Sequence, residues 1–488
     1  MTITHASPPE TSPIEVPRQA AQPRRWWALA IIALTQLVVV LDGTIVNIAL
    51  PTAQVELTLS NTERQWVVTS YVLVFGALLL LGGRIADTWG RKRTFMLGMI
   101  GFGVASLYGG LAQSGTDLIL ARGLQGLFAA LLAPAALAML TVAFPFGRER
   151  NIAFAVFGAV AGSGAAVGLL LGGFLTEFTS WRWCLLVNLI FVIISVGIGA
   201  FVLEESKAEG KGRLDILGAI AVVLGLGSLV YSFTLAEESW VSVDTIGFMA
   251  GGVLLLALFV FIETRARNPL LPMRVILHRV RAGAYFVQAV VGAVLIGTTM
   301  YLAFHLQNVL GMSPLLAGLA SVVMTAITIL VVPIMTKLMP VSGPRPMMVF
   351  GPLIAAVGMF WMVSITADGN YVTQVMPGLI LIGLGVGVTL VPLQNVALVG
   401  VEPSDAGAAS AMVNVAMQIG GSIGLSVFAL AASSATASAT ALGDSELAAQ
   451  TQGYSAVFLS AGIALVLAGV VAAICVRGKK EDLLPTHS

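Results

Sequence analysis

Two ionisable residues stand well inside long apolar stretches, and their types suggest proton chemistry. Asp42 lies in Leu41-Asp42-Gly43-Thr44-Ile45-Val46-Asn47-Ile48-Ala49-Leu50-Pro51, and Arg122 in Arg122-Gly123-Leu124-Gln125-Gly126. A carboxylate can take up and release a proton. Burying it ionised in hydrocarbon is expensive, so it must face a wet cavity or spend much of its time protonated. A helix–helix hydrogen-bonding role, or a position wet from the outer surface, is the plainer alternative. At 1.5 Å per residue, Asp42 sits about 10 Å from the outer end of its stretch and Arg122 about 8 Å from the outer end of its own. Equal depth permits direct or water-mediated coupling without establishing it. Gln125, nearly one turn beyond Arg122, could extend a polar lining.

The elements that position these residues are hydrocarbon-length helices. Of 488 residues, 57% are apolar and 10% charged, against about 25% charged in soluble domains. Fourteen apolar spans are read at 26–49, 65–86, 94–113, 117–141, 152–176, 183–203, 214–235, 245–263, 282–307, 314–337, 346–366, 372–398, 406–431 and 455–476. An even count puts both termini on one side. Arg24, Arg25, Arg84, Arg91, Lys92, Arg93, Arg148, Arg150, Lys207, Lys211, Arg213, the run from Arg265 to Arg281, Lys337, Arg345, Arg477, Lys479 and Lys480 share that side. The opposite loops hold Arg64 and Arg182 with most of the loop acids, including Glu237 and Glu238. The positive-inside bias makes the termini cytoplasmic. Net charge is +1, which implies no nucleic-acid partner. Cys184 and Cys475 fall in apolar segments and suggest neither a disulfide framework nor a metal site.

Residues 83–93 form a dense polar link between two spans. Gly90 suits a tight turn, and Gly83 would let its helix approach a neighbour closely. Asp87 precedes Arg91, Lys92 and Arg93, so it can make a local ion pair or cap the helix beginning near Thr94. A weaker echo runs from Thr336 to Arg345, with Pro340 where the Asp would stand. Gly158, Gly162, Gly168, Gly172 and Gly173 put small faces on the fifth span, with 158 and 162 paired by a spacing of four, as are 168 and 172. Trp181-Arg182-Trp183 reads as an outer interfacial anchor. His305 falls near the outer interface, a placement favoured over a gating or proton role. Tyr71, Phe75, Gln125, Gln288, Tyr301, Asn395, Asn414 and Gln418 could line a substrate cavity; the amides could equally tie helices together. Aromatics on a cavity wall would suit a flat cation. The Ala/Ser/Thr-rich stretch 432–454 reads as a flexible outer loop.

Gly83-x-x-x-Asp87-x-x-Gly90-Arg91-Lys92 resembles the loop between helices 2 and 3 of the major facilitator superfamily. The Asp42 stretch, the Arg122 stretch, the glycines of span 5, Trp181 to Asn188, and Gln307 to Gly318 resemble further signatures of its fourteen-span drug/proton antiporters. The proline usual before the final Gly-Gly of span 5 is Leu169 here. The resemblance implies an all-α membrane fold: a cytoplasmic tail (1–23), a six-helix half (24–203), two extra helices (204–263), a cytoplasmic linker (264–281), a second six-helix half (282–477) and a short cytoplasmic tail (478–488). It implies a latch at Gly83, Asp87, Gly90, Arg91 and Lys92, and proton transfer involving Asp42 and Arg122.

The function expected on that basis is proton-coupled efflux of lipophilic, cationic or weakly basic small molecules across the bacterial cytoplasmic membrane. A dedicated exporter of one metabolite or antibiotic is the alternative. A monomer in the lipid bilayer is expected, with protons as coupling ion and no other cofactor. A membrane enzyme or scaffold is the distant alternative, since HExxH, Walker and nucleophile-elbow patterns are missing, and no selectivity loop marks a channel.

Overall fold

A computed structural model describes residues 23–144, 147–207, 215–236, 239–266, 271, 273–401 and 406–477. The expected terminal tails, Lys211, Arg213, Glu237, Glu238, Lys479, Lys480 and part of the run from Arg265 to Arg281 lie outside the described residues. The described chain is helical: α1 (Pro23–Glu56), α2 (Asn61–Trp89), α3 (Arg91–Gly110), α4 (Gly115–Ala143), α5 (Arg148–Phe178), α6 (Trp183–Val202), α7 (Ile216–Leu235), α8 (Val243–Arg265), a short α9 (Met273–Ile276), α10 (Arg279–Phe304), α11 (Pro314–Ser342), α12 (Pro344–Met362), α13 (Met376–Val396), α14 (Ala406–Ala441) and α15 (Glu446–Cys475). Single π-helical turns extend α10 through His305–Val309 and precede α13 at Tyr371–Val375. Among the described residues, thirteen helices are long and apolar enough to cross a membrane by length and composition. The fourteenth, α3, is 20 residues long and packs between α4 and α6.

Several helix starts differ in kind between the two ends of the bundle. At the end of the bundle opposite the termini, Ser60, Ser114, Ser242, Ser313 and Ser445 each accept a backbone N–H of the first turn of α2, α4, α8, α11 and α15. Such caps contribute about 1 kcal/mol each. At the termini end, α3, α5 and α12 start instead at Gly90, Gly147 and Gly343. Gly90 and Gly343 have φ of 129° and 77°, a backbone that a side chain resists. They stand at equivalent turns of the two halves.

Helices α1–α6 form one bundle and α10–α15 another, while α7 and α8 pair with each other and α7 lies against α2 and α14. Small residues set the close approaches, as in membrane bundles where lipid offers no hydrophobic drive between helices. A Cβ on Gly168 or Gly172 would strike α1 at Thr44 or Ile45. Gly158 and Gly162 do not share in this: nothing would meet a Cβ at either. The packed face continues instead through Gly164, against Val40. Gly82, rather than Gly83, makes the close contact of α2, meeting the backbone of Ala130; Gly83 has only ordinary contact with Pro134.

One other expectation changes. Residues 432–454 are not a flexible loop, because α14 runs to Ala441 and α15 starts at Glu446. Alanine-rich sequence carries little hydropathy but strong helix propensity. In the linker, the Arg281 side chain is buried and donates to the carbonyls of Val275, Arg274 and Val399 at 2.8, 2.6 and 2.9 Å, so it ties α9 to the end of α13.

The two halves meet between mid-depth and the end away from the termini. Gly76 of α2 lies against Gln418 of α14, Gly173 of α5 against Pro314 and Leu315, and Gly318 of α11 against Leu169. Gln307 donates to the Ile48 carbonyl at 3.0 Å, and Leu315 N–H donates to Glu177 at 2.9 Å.

Candidate functional site

Asp42 and Arg122 touch. Arg122 Nη1 donates to Asp42 Oδ2 at 2.5 Å and to Gln125 Oε1 at 2.7 Å. Gln125 Nε2 and Asn188 Nδ2 donate to Asp42 Oδ1 at 2.9 and 2.8 Å. Ser106 Oγ accepts from Gln125 at 2.8 Å. Arg122 Nε points at the Val67 carbonyl, and the guanidinium lies 4.2 Å from the ring centre of Tyr71. The cluster thus joins α1, α2, α3, α4 and α6. Asp42, Gln125, Asn188 and Ser106 have no exposed surface, and Arg122 is 1% exposed.

That burial changes the expected setting. Asp42 opens onto neither a wet cavity nor lipid; it is sealed inside the first half, with both oxygens occupied by donors. An ion pair stripped of water survives only when its remaining hydrogen-bonding capacity is met, and here two amides and a hydroxyl meet most of it. Among the polar atoms of the cluster, Asn188 Oδ1 has no hydrogen-bond partner. Gln125 belongs to this network rather than to a substrate cavity.

Sequence reasoning missed two members. Ser106 carried no signal in a Gly-rich span. Asn188 stood within a family-like stretch, but the neighbouring tryptophans drew the reading toward an interfacial anchor. That reading holds for Trp183, which is 46% exposed, but not for Trp181, which is buried. Trp181 Nε1 and Arg182 donate instead to Glu56 at the end of α1, at 2.8 and 2.9 Å.

The other cavity candidates do not converge. Tyr71, Phe75, Gln288, Tyr301 and Gln418 are buried between helices. Asn395 donates to the Val391 carbonyl of its own helix and to Met339 Sδ at 3.2 and 3.4 Å. Asn414 is exposed.

In the loop after α2, Arg91 donates to Asp87 at 3.1 Å, one turn apart. Asp87 therefore forms the local ion pair and leaves the cap of α3 to another residue, Glu205. Glu205 accepts the N–H groups of Lys92 and Arg93 at 3.1 and 3.2 Å and pairs with the Arg93 side chain at 3.6 Å. Lys92 Nζ donates to the Ala200 carbonyl near the end of α6 at 2.7 Å. The second half repeats this: Arg345 donates to the Ala473 carbonyl near the end of α15 at 3.3 Å. Pro340 removes the acidic partner but leaves the cation on the helix end, where it complements the carbonyl dipoles. Glu205→Ala should cost about 1–2 kcal/mol, because two N–H groups of α3 lose their acceptor. Asp87→Asn should cost less, about 0.5–1 kcal/mol, as a half-buried i,i+4 pair at the water boundary does. Thermal unfolding of the purified variants checks the order; equal losses would remove Glu205 as the cap.

A sequence profile of the Major Facilitator Superfamily matches residues 32–425. This chain belongs to the Major Facilitator Superfamily. It is 42% identical to the puromycin resistance protein pur8 of Streptomyces alboniger, over 99% of this chain and 98% of the relative. It is 37% identical to the cephamycin export protein CmcT of Amycolatopsis lactamdurans, over 85% of this chain and 86% of the relative. The fold matches a bacterial homolog of the human lysosomal transporter Spinster with a TM-score of 0.65 at 16% identity, covering 96% of this chain and 100% of that one. The molecule is a multi-pass membrane transporter rather than an enzyme, with relatives in antibiotic resistance and export, and the six-helix halves with α7 and α8 between them are its Major Facilitator architecture.

Proposed function

We propose that the chain is a proton-coupled antiporter that exports lipophilic, cationic or weakly basic small molecules of the antibiotic type. The observation that carries the coupling is the sealed Asp42 cluster. As a carboxylate, Asp42 accepts from Arg122, Gln125 and Asn188 at once, clamping α1 to α4 and α6. A proton on Asp42 turns one acceptor into a donor. Arg122 has nothing to accept it. Asn188 Oδ1, unpartnered and buried, can accept once its amide turns over. Protonation of Oδ1 therefore reverses the bond to α6 and removes the negative charge that held Arg122, which loosens the clamp to α4. That is a discrete two-state element of the kind that rocking of rigid halves requires. The paired loops on α6 and α15 would brace each half as a unit while it rocks.

The relatives in antibiotic resistance and export favour antibiotics as cargo, and the end-to-end match to one puromycin resistance protein supports the second reading, a dedicated exporter of a single compound. Proteoliposomes with an imposed pH gradient, offered a panel of antibiotics and lipophilic cations, separate the two. Uphill movement of several unrelated compounds supports the broad reading, movement of one supports the narrow, and export indifferent to the gradient defeats proton coupling.

The orientation proposed is termini in the cytoplasm, from the one-sided Lys/Arg distribution. Thr88→Cys should be shielded from an impermeant thiol reagent in whole cells, while Ser239→Cys should react. Labelling of Thr88→Cys from outside would reverse the assignment.

A further inference from the structure

His305 is a buried titratable group that the Asp42 mechanism does not use. It has no exposed surface, and neither ring nitrogen has a hydrogen-bond partner. A neutral imidazole carries one donor and one acceptor, so both capacities are idle where burial makes that unfavourable. It also opens the π-helical turn His305–Val309, where Leu310 N–H donates to the His305 carbonyl at 3.0 Å. Such turns often mark functional positions in helices.

The ring faces an aromatic group contacted by the other half. Tyr454 of α15 meets His305 edge-on with ring centres 6.2 Å apart, and Tyr301 meets Tyr454 at 6.0 Å. Arg64 of α2 crosses from the first half, 4.3 Å from the ring centre of Phe304 and 6.0 Å from that of Tyr301. It also lies close to Tyr454. The carboxylates of the surrounding elements are engaged elsewhere. Glu56 of α1 holds Trp181 and Arg182, Asp42 is inside its cluster, Glu63 of α2 accepts from Ser60, and Glu446 of α15 accepts from Gln450. On α11 the ionisable residue is Lys337, toward the opposite end.

We propose that His305 is a second proton-binding group of the carrier, and that its protonation releases a gate made by Arg64 on Tyr301, Phe304 and Tyr454. The neutral ring tolerates the guanidinium of the other half against this aromatic group. An imidazolium here is a buried charge with no hydrogen-bond partner and no carboxylate to pair it, a state that exclusion from water strongly disfavours, and Tyr454 is the ring it shares with the Arg64 guanidinium. Withdrawal of α2 with Arg64 relieves it, parts the halves at the end away from the termini, and lets water solvate the imidazolium. The proton arrives from that water and returns to it when the ring is again neutral. The inference rests on the proton-coupled reading above, but its test needs no substrate and no transport.

Nitroxide labels at Val55→Cys and Leu442→Cys, both exposed at that end of opposite halves, in a Cys475→Ser background, report the separation by pulsed electron resonance. From about pH 8 to about pH 5.5, across the ordinary range of histidine, a longer-distance population should grow about threefold or more. His305→Gln should abolish that growth, while Asp42→Asn should keep it. Arg64→Gln should show the longer distance already at the higher pH. An unchanged pH response in His305→Gln overturns the proton role, and a closed Arg64→Gln overturns the gate. Loss of the response in Asp42→Asn with retention in His305→Gln would assign the sensitivity to Asp42. Gradient-independent export in the transport assay would defeat proton coupling at Asp42 while leaving this distance measurement standing.

Discussion

Asp42→Asn is expected to abolish gradient-driven export while leaving a folded carrier that still binds substrate. Asparagine keeps the shape but offers one acceptor atom where the carboxylate offers two. Its NH2 must then face either Arg122 or the amides of Gln125 and Asn188, all of which donate to Asp42 now. The variant also cannot release a proton. Uphill export should fall tenfold or more, equivalent to about 1.4 kcal/mol or greater, with downhill exchange less affected. Substrate-induced proton movement in proteoliposomes at several pH values is the measurement. Normal substrate–proton exchange by folded Asp42→Asn would move coupling to another group and leave the cluster a structural brace. Arg122→Ala is a harsher change: it strands a buried carboxylate, at a cost of about 3–5 kcal/mol, so its defect is to be read only beside its thermal stability.

Gly318→Ala is the second large effect expected, and it acts without touching the core of either half. A Cβ at 318 would stand 2.5 Å from the backbone oxygen of Leu169, on α5 of the opposite half. A backbone atom cannot turn aside as a side-chain tip can, so the halves must part. A penalty of about 1–3 kcal/mol on the closed contact shifts the balance away from it by roughly fivefold to more than a hundredfold. Transport should fall accordingly, and the Val55–Leu442 label distance should lengthen at every pH. The thermal midpoint of each bundle should stay near that of the unmodified protein. Gly76→Ala, whose Cβ would lie 2.7 Å from Gln418 Cβ, should do the same, since a Cβ is held in place by its own backbone. Unchanged transport together with an unchanged distance in Gly318→Ala would show that the contact bends without consequence.

Much of the architecture was legible because hydrocarbon thickness imposes a length that apolar runs reveal directly. Depth arithmetic brought Asp42 and Arg122 level, but could not choose between a cavity and a sealed pair, because helix rotation decides that and helix rotation depends on packing. Gln125 was visible one turn from Arg122. Ser106 and Asn188 were not assigned to the cluster, since a neutral polar residue in a membrane span has many bland uses. Glu205 lies 113 residues from the N–H of Lys92 that it accepts, and no local pattern links the two. Gly158 and Gly162 show the converse failure: spacing of four marks a small face but does not say whether anything packs on it.

The helical hairpin of α14 and α15 bears on how the motion of this carrier could be watched. At 36 and 30 residues, the two helices run about 54 and 45 Å at the helical rise, against about 30 Å of hydrocarbon. They are joined only by residues 442–445, with Gly443 at φ 92° supplying the turn. The second half therefore carries a stiff spur into the water, continuous with its own bundle. A small rigid protein grafted at that turn, or an antibody fragment raised against it, would follow the second half as one body. In single-particle images of an otherwise smooth membrane protein, such a marker would supply both the mass needed for alignment and a pointer to the angle through which one half rocks against the other.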